Sequence, residues 1–229
     1  MELLPSNTRG IHYRGREMRY PADHKAGSRA EIVRSASRRF RADGIASVGV
    51  RSLMSDAGLT NGAFYSHFAS RAELVAAAAS DAGAETVGRL AEIAEKELPG
   101  DRLEAVVGSY LSTLHVEHMA RGCAAAALAP EMAREDAQGR EQFMENVRLL
   151  VDLLAGLLPP GGTDQDRSER SWAVFAGMMG SLQLARLAAP GAQVESILRA
   201  GRDAALMLAK RPWVVCDDPG SADLEGASP

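Results

Sequence analysis

The stretch that decides the fold runs from Gly49 to Leu74 and reads GVRSLMSDAGLTNGAFYSHFASRAEL. In its first part apolar residues recur at the three- and four-residue spacing of one helix face, which predicts a helix beginning near Val50. Gly58 follows that face and predicts a tight turn, because glycine adopts the left-handed conformation that closes a helix. Ser70 and Glu73 form a capping box that opens a later helix. The pattern is that of a helix-turn-helix.

The second helix of this motif carries a polar outer surface. Thr60 is its expected N-cap, and Leu59, Phe64 and Phe68 are expected to face inward. Small and hydrogen-bonding side chains suit insertion into a major groove, where base edges and phosphates offer donors and acceptors. An ordinary helical hairpin without a ligand is the alternative. The residues left outward are Asn61, Gly62, Tyr65, Ser66 and His67.

Charge is distributed unevenly along the 229 residues. Residues 1–71 carry 12 Lys and Arg against 6 Asp and Glu, whereas residues 72–229 carry 14 against 24, which gives the net charge of −4. The basic part is the part with the helix-turn-helix. This split favours a phosphate-binding head on an acidic body over a merely solvated basic face.

Together with the upstream residues Ile32, Ala36, Phe40 and Gly44, this stretch resembles the DNA-binding domain of the TetR family of transcriptional regulators. The resemblance covers about residues 29–75, and its most specific parts are residues 57–60, 62–68 and 70–71.

The resemblance implies a homodimer whose second helix-turn-helix element reads the groove of double-stranded DNA, while Tyr65 and Arg71 touch phosphates. Gly49 departs from the family, which usually has a hydroxyl N-cap there, and Arg71 replaces the commoner lysine but keeps the charge. The predicted DNA-binding residues are Arg51, Thr60, Asn61, Gly62, Ala63, Tyr65, Ser66, His67 and Arg71.

The ends of the chain lack helical periodicity and are rich in Pro and Gly. We expect the first helix to begin at a capping box formed by Ser28 and Glu31, with Arg34, Arg38, Arg39 and Arg41 on its solvent side. Arg19, Lys25 and Arg29 could form an arm that follows DNA, or a mere basic tail. The predicted division is a disordered basic arm (1–27), a helix-turn-helix domain (28–75), a helical ligand-binding and dimerisation domain (76–210) and a disordered tail (211–229).

The whole chain is predicted to be all-α, with a three-helix head and a helical body, since aromatic residues are few and no segment alternates apolar and polar residues. The last two predicted helices are joined by Pro190-Gly191 and carry small residues. The family resemblance implies that they form the dimer interface, although the same stripes could be intramolecular core. Helices are expected over 71–98, 101–119, a short segment in 123–134, 143–158, 164–188 and 192–209.

Bulky or polarisable residues of the body are candidates for lining an effector pocket for a small, fairly apolar molecule. Each of them is also an ordinary core residue by type. The candidates are Tyr110, His115, Met119, Cys123, Phe143, Met144, Trp172 and Met178.

Cys123 has two further interpretations. It follows Gly122 beside Arg121 at a helix start, which can lower a thiol pKa and would suit a redox or electrophile sensor; a small buried hydrophobe is the other interpretation. His115, His118 and Cys123 have metal-ligand side chains, but their spacing matches no metal motif, so we predict no metal site and no cofactor.

Enzyme activity is not expected, because the chain has no nucleophile elbow, phosphate-binding glycine loop or spaced carboxylate constellation. The sequence therefore predicts a cytoplasmic, dimeric, ligand-responsive repressor that a small apolar molecule releases from a palindromic operator. The sequence does not state the sign of regulation, so an activator is the other possibility. The alternatives are a sensor acting through Cys123 and, in another class, a helical adaptor whose head binds protein. Residues 1–27 lack the long apolar core expected of a signal peptide, and no membrane partner is expected.

Overall fold

The computed structural model describes residues 22–213, and its secondary structure there is helical with no β-strand. This confirms the all-α prediction. No helix in the described part is long and apolar enough to cross a bilayer. The α-helices are α1 (Ala22–Asp43), α2 (Val50–Asp56), α3 (Phe64–His67), α4 (Arg71–Lys96), α5 (Arg102–Tyr110), α6 (Thr113–Glu117), α7 (Ala124–Met132), α8 (Ala137–Leu157), α9 (Asp164–Leu187) and α10 (Ala192–Ala209).

The first helix starts earlier than the sequence indicated. Residues 22–27 belong to α1, so the expectation that they are disordered is wrong, as is the capping box at Ser28. The rest of the predicted arm, residues 1–21, and residues 214–229 of the predicted tail lie outside the described residues.

The head is built from α1, α2, α3 and the start of α4 around one apolar core. Gly58 has a φ of +69°, as the turn requires, and α2 begins at Val50 as predicted. The second helical part of the helix-turn-helix, residues 61–67, is called the reading segment below. It opens as a 3₁₀ turn over Asn61–Ala63 before α3, and the side chain of the preceding Thr60 makes no capping hydrogen bond. The buried core residues of the head include Ile32, Ala36, Phe40, Leu53, Met54, Phe64, Phe68 and Leu74.

The long helix α4 begins at a cap formed by Ser70, whose hydroxyl accepts a hydrogen bond from the Glu73 N–H at 3.1 Å. The Glu73 carboxylate accepts from the Ala69 N–H at 2.7 Å, one residue before the expected partner. From this cap α4 runs out of the head and packs against α1, α5, α7 and α8. It is therefore the continuous element shared by head and body.

The predicted helix over 101–119 is divided in two. Leu111 leaves helical geometry with φ −97° and ψ 60°, and the Ser112 hydroxyl caps α6 by accepting from the His115 N–H. A 3₁₀ turn over Met119–Arg121 follows. Serine competes with the backbone for hydrogen bonds, which explains the break within an otherwise helical apolar pattern.

The last two helices, α9 and α10, pack closely against each other. A Cβ atom at Gly201 would lie 2.5 Å from the Ser181 hydroxyl, so the small residue sets how near the helices come. Beyond α10, Trp213 is partly buried against the core, and Arg170 lies over its ring at 3.4 Å. The predicted disordered tail is therefore wrong for its first residues, because an aromatic anchor follows Pro212.

Candidate nucleic-acid interface and ligand cleft

The reading segment is fixed from beneath by two phenylalanines. Phe64 and Phe68 are 2% and 1% exposed, and their rings stack with centroids 5.6 Å apart. Tyr65 lies between them in sequence but faces outward with 77% of its surface exposed. Such exposure of a large aromatic side chain leaves its hydroxyl and ring free to meet a partner.

The predicted DNA-binding residues largely share this face. Ala63 and His67 are half-buried, and the Ser66 hydroxyl donates to the Ala63 carbonyl at 2.6 Å, which stiffens the short helix. The exposed members are Arg51, Thr60, Asn61, Gly62, Tyr65, Ser66 and Arg71.

His67 sits at the edge of the interface beside cations. Burial lowers its pKa, and Lys25 and Arg29 lower it further, so the ring is neutral at pH 7. Its Nδ1 is buried and makes no hydrogen bond within the described chain. A neutral imidazole keeps one donor and one acceptor nitrogen.

Two arginines of the head donate hydrogen bonds to other groups of the protein. Arg71 donates to the carbonyls of Ile45 at 2.5 Å and Val48 at 3.3 Å, closing the loop between α1 and α2. Arg29 donates to Glu73 at 3.0 Å and lies 4.7 Å over the Phe68 ring, so it is part of the head's packing rather than of a free arm. Arg71 remains exposed, and its contact with a phosphate stays a prediction.

Arg41 corrects another expectation, because it is buried, 3% exposed, rather than on the solvent side of α1. It donates to the Gly122 carbonyl at 3.0 Å and to Glu85 of α4 at 2.5 Å. A second bridge runs from Glu131 of α7, which accepts from the N–H groups of Ile45 at 3.0 Å and Ala46 at 2.9 Å. The body therefore holds both α1 and the turn that precedes α2.

The body contains an open cleft of about 480 Å³ near this junction. His115 is neutral in its wall, because burial lowers its pKa to about 4 despite the hydrogen bond with the Tyr110 carbonyl. The cleft is lined by Arg89, Leu90, Ser109, Tyr110, Ser112, Leu114, His115, His118 and Arg121.

A hydrogen-bonded group lies at the inner wall of this cleft. Nε2 of His115 accepts a hydrogen bond from the Cys123 N–H at 2.9 Å. The proton of the neutral ring is therefore on Nδ1, which donates to the Tyr110 carbonyl at 2.6 Å. The Tyr110 hydroxyl is buried and makes no hydrogen bond within the described chain; burial first, and then Cys123, raises the pKa of Tyr110. Arg186 donates to the His115 carbonyl at 3.1 Å.

The cleft unites two of the predicted ligand residues, Tyr110 and His115. Cys123 and Phe143 lie instead around a separate void of about 10 Å³. Of the other candidates, Met178 is buried in the core, Met144 is half-buried, and Met119 and Trp172 are 42% and 36% exposed outside the cleft wall.

Two arginines of the cleft, Arg89 and Arg121, were not among the ligand-binding residues that the sequence indicated. Arginines on amphipathic helices usually mark the solvent face. The break at Ser112 separates α6 from α5, and residues of both helices line the cleft; Ser112 was the signal that could have indicated it.

The surroundings of Cys123 bear on its interpretation as a sensor, a buried hydrophobe or a metal ligand. Its side chain is 1% exposed, which fits the buried hydrophobe. Both ring nitrogens of His115 are engaged in hydrogen bonds, so neither offers a free lone pair to a metal with Cys123. Sensing through Cys123 stays a prediction that would first require the cleft wall to open.

Comparison with known proteins agrees with this geometry. Residues 32–78 match the family model described as bacterial regulatory proteins, tetR family. No curated protein is detectably similar in sequence to the chain. Among solved structures, a TetR-family transcriptional regulator from Agrobacterium tumefaciens is 21% identical, with a TM-score of 0.64, over 79% of this chain and 98% of its own.

Two further structures show the same fold. A TetR-family regulator from Streptomyces coelicolor is 22% identical with a TM-score of 0.65, covering 80% of this chain and 96% of its own. The regulator FadR from Bacillus subtilis, solved in complex with stearoyl-CoA, is 14% identical with a TM-score of 0.59, covering 79% and 97%.

A helix-turn-helix head joined by one long helix to an all-α body is the fold that the described chain shares with these three structures. The head, over residues 32–78, matches the tetR family by sequence, and the described part of the chain shares the fold of these TetR-family regulators.

Proposed function

We propose that this regulator is a homodimeric repressor that binds a palindromic operator and leaves it when a small molecule occupies the cleft. The observation that carries the proposal is the outward face of the reading segment, where Tyr65 stands 77% exposed on a support of buried phenylalanines. Asn61, Gly62 and Ser66 complete a surface without acidic side chains that can approach base edges and phosphates.

The proposed dimer forms through α9 and α10. These helices expose large apolar residues that a single chain leaves uncovered: Leu184 is 60%, Leu187 84% and Met207 74% exposed. Two such helix pairs can combine into a four-helix bundle about a two-fold axis. A second copy of this chain is the occupant that makes the face self-complementary and gives the operator its palindromic half-sites.

In the proposed release step, α4 transmits the effect of the ligand from the cleft to the head. Arg89 and Leu90 of α4 line the cleft, while Arg71 at the other end of α4 holds the α1–α2 loop. A ligand that prefers one position of α4 would therefore move the head. A coupling free energy of about 1–3 kcal/mol changes operator affinity several-fold to about a hundredfold.

Two alternatives have less support. Redox sensing through Cys123 conflicts with the 1% exposure of that side chain. A protein-binding head would account for the exposed Tyr65, but it gives no reason for the concentration of positive charge in residues 1–71.

The deciding experiment measures binding of the purified protein to the DNA upstream of its own gene and to random DNA at two salt concentrations. Wild type should bind the upstream DNA more tightly, with affinity falling as salt rises, and Tyr65→Ala should weaken it about tenfold or more. Leu98→Ala is the matched control, because Leu98 is 73% exposed but lies far along the chain after α4.

Absence of binding to either DNA at both salt concentrations would support the adaptor and refute the repressor. Monomeric behaviour in sedimentation at operator-binding concentrations would refute the proposed dimer, and Leu187→Glu should produce that behaviour because it buries a charge in the interface.

A further inference from the structure

The cleft presents two arginines without acidic partners. Neither Arg89 nor Arg121 forms an ion pair with a carboxylate in the described part of the chain. Glu85 lies one turn before Arg89 on α4, where it could pair with it, but it binds Arg41 instead. No Asp or Glu lines the cleft. The site therefore carries uncompensated positive charge.

The geometry keeps these charges together. Nη1 of Arg89 donates to the main-chain carbonyl of Arg121 at 2.6 Å, which ties the 3₁₀ turn to α4 and fixes the Arg89 guanidinium at the rim. Its other nitrogens make no further hydrogen bond that the described residues supply. A guanidinium is a rigid fork of donors that suits a carboxylate or phosphate.

The rest of the cleft is apolar or neutral. Leu114 is 63% exposed, Leu90 and the Tyr110 ring form the wall, and His115 contributes no charge because its pKa is about 4. The volume of about 480 Å³ falls within the range of about 300–1,000 Å³ typical of small-molecule sites. Charge at the rim and apolar surface beside it are complementary to an amphipathic molecule.

We propose that the cleft binds an amphipathic anion, with its carboxylate or phosphate head on Arg89 and Arg121 and its alkyl part against Leu90, Tyr110 and Leu114. This inference rests on the proposed function for its regulatory meaning, but anion binding can be measured without DNA. It replaces the small, fairly apolar effector that the sequence indicated.

The experiment is calorimetric titration of the full chain with four eight-carbon probes: octanoate, octyl phosphate, 1-octanol and octylammonium. At least one anion should bind about tenfold or more tightly than the alcohol and the amine, and the preference should shrink at high salt. The better anion distinguishes a carboxylate ligand from a phosphate ligand.

Arg121→Gln and Arg89→Gln should each remove most of the anion preference while leaving affinity for 1-octanol unchanged. Arg134→Gln is the matched control, because Arg134 is also exposed and unpaired in the described chain but lies outside the cleft. Leu114→Asn should weaken all alkyl probes alike. Arg121 is exposed, so its variant tests the site without disturbing the fold.

Equal binding of all four probes, no binding of any, or an unchanged preference in both arginine variants would overturn the inference. Operator binding measured on the same samples separates the two proposals. Anion preference without operator binding would support the anion site and refute the repressor. Operator binding without anion preference would support the repressor and refute the anion site.

Discussion

The Glu131 carboxylate at the end of α7 accepts a hydrogen bond from the Ile45 N–H, 3.0 Å away in the turn that joins α1 to α2. The adjacent Ala46 N–H binds the other carboxylate oxygen at 2.9 Å. One body side chain thus satisfies two backbone donors that no helix would otherwise pair. Since α7 begins directly after Cys123, which binds His115 of the cleft, this helix spans the distance from cleft to head.

Glu131→Ala should therefore free the turn. We expect unfolding free energy to fall by about 1–2 kcal/mol, because two charge-assisted hydrogen bonds to a partly exposed carboxylate are lost. Hydrogen exchange should accelerate at the Ile45 and Ala46 amides. Glu95→Ala removes an exposed carboxylate that makes no ion pair in the described chain, and it should change neither quantity. Unaltered exchange at both amides in Glu131→Ala would contradict this account.

Arg41→Met should destabilise the protein by about 2–3 kcal/mol, because it leaves the Gly122 carbonyl and Glu85 without their buried donor. Arg38→Met on the same helix removes an exposed arginine and should stay within about 0.5 kcal/mol of wild type. Denaturant unfolding of the three proteins provides the comparison. A similar loss of unfolding free energy in both variants would mean that Arg41 contributes only its positive charge and not its specific hydrogen bonds.

Stability should fall in mild acid because of His115. Its pKa is about 4 in the folded protein and about 6.5 when unfolded, so the unfolded chain binds the extra proton as pH drops. Between pH 7 and pH 5 wild type should lose about 2 kcal/mol more than His115→Gln. His118→Gln changes an exposed histidine and should follow wild type. Parallel pH profiles for wild type and His115→Gln would exclude this role.

Trp213 should stabilise the loop between α8 and α9 by packing against it. Its ring lies where a Cβ at Gly162, which has a φ of +70°, would come within 2.6 Å, and Arg170 stacks on it at 3.4 Å. Trp213→Ala should cost about 1–3 kcal/mol, whereas Arg170→Gln should cost less because the indole still packs. Thermal unfolding would show the order, and an unchanged midpoint for Trp213→Ala would rule out this stabilisation.

Local patterns in the sequence were enough to predict the start of α2, the turn after it and the start of α4. The spacing of apolar residues after Val50, the turn at Gly58 and the Ser70 cap depend on neighbours a few residues away, and the structure confirms all three. The break at Ser112 was missed, because a helix pattern can continue in sequence where a single side-chain hydrogen bond interrupts it. The earlier start of α1 was missed because residues 22–27 show no helical periodicity.

What the sequence by itself determined is the all-α class, the helix-turn-helix and the concentration of basic charge at one end. The tertiary structure alone decided that Arg41 is buried, that Glu131 reaches Ile45 across 86 positions, and that Arg89 and Arg121 share a cleft without carboxylates. Helical periodicity reports which face of a helix is apolar. It does not report which helix packs against that face, and charge pairing between distant segments depends on that packing.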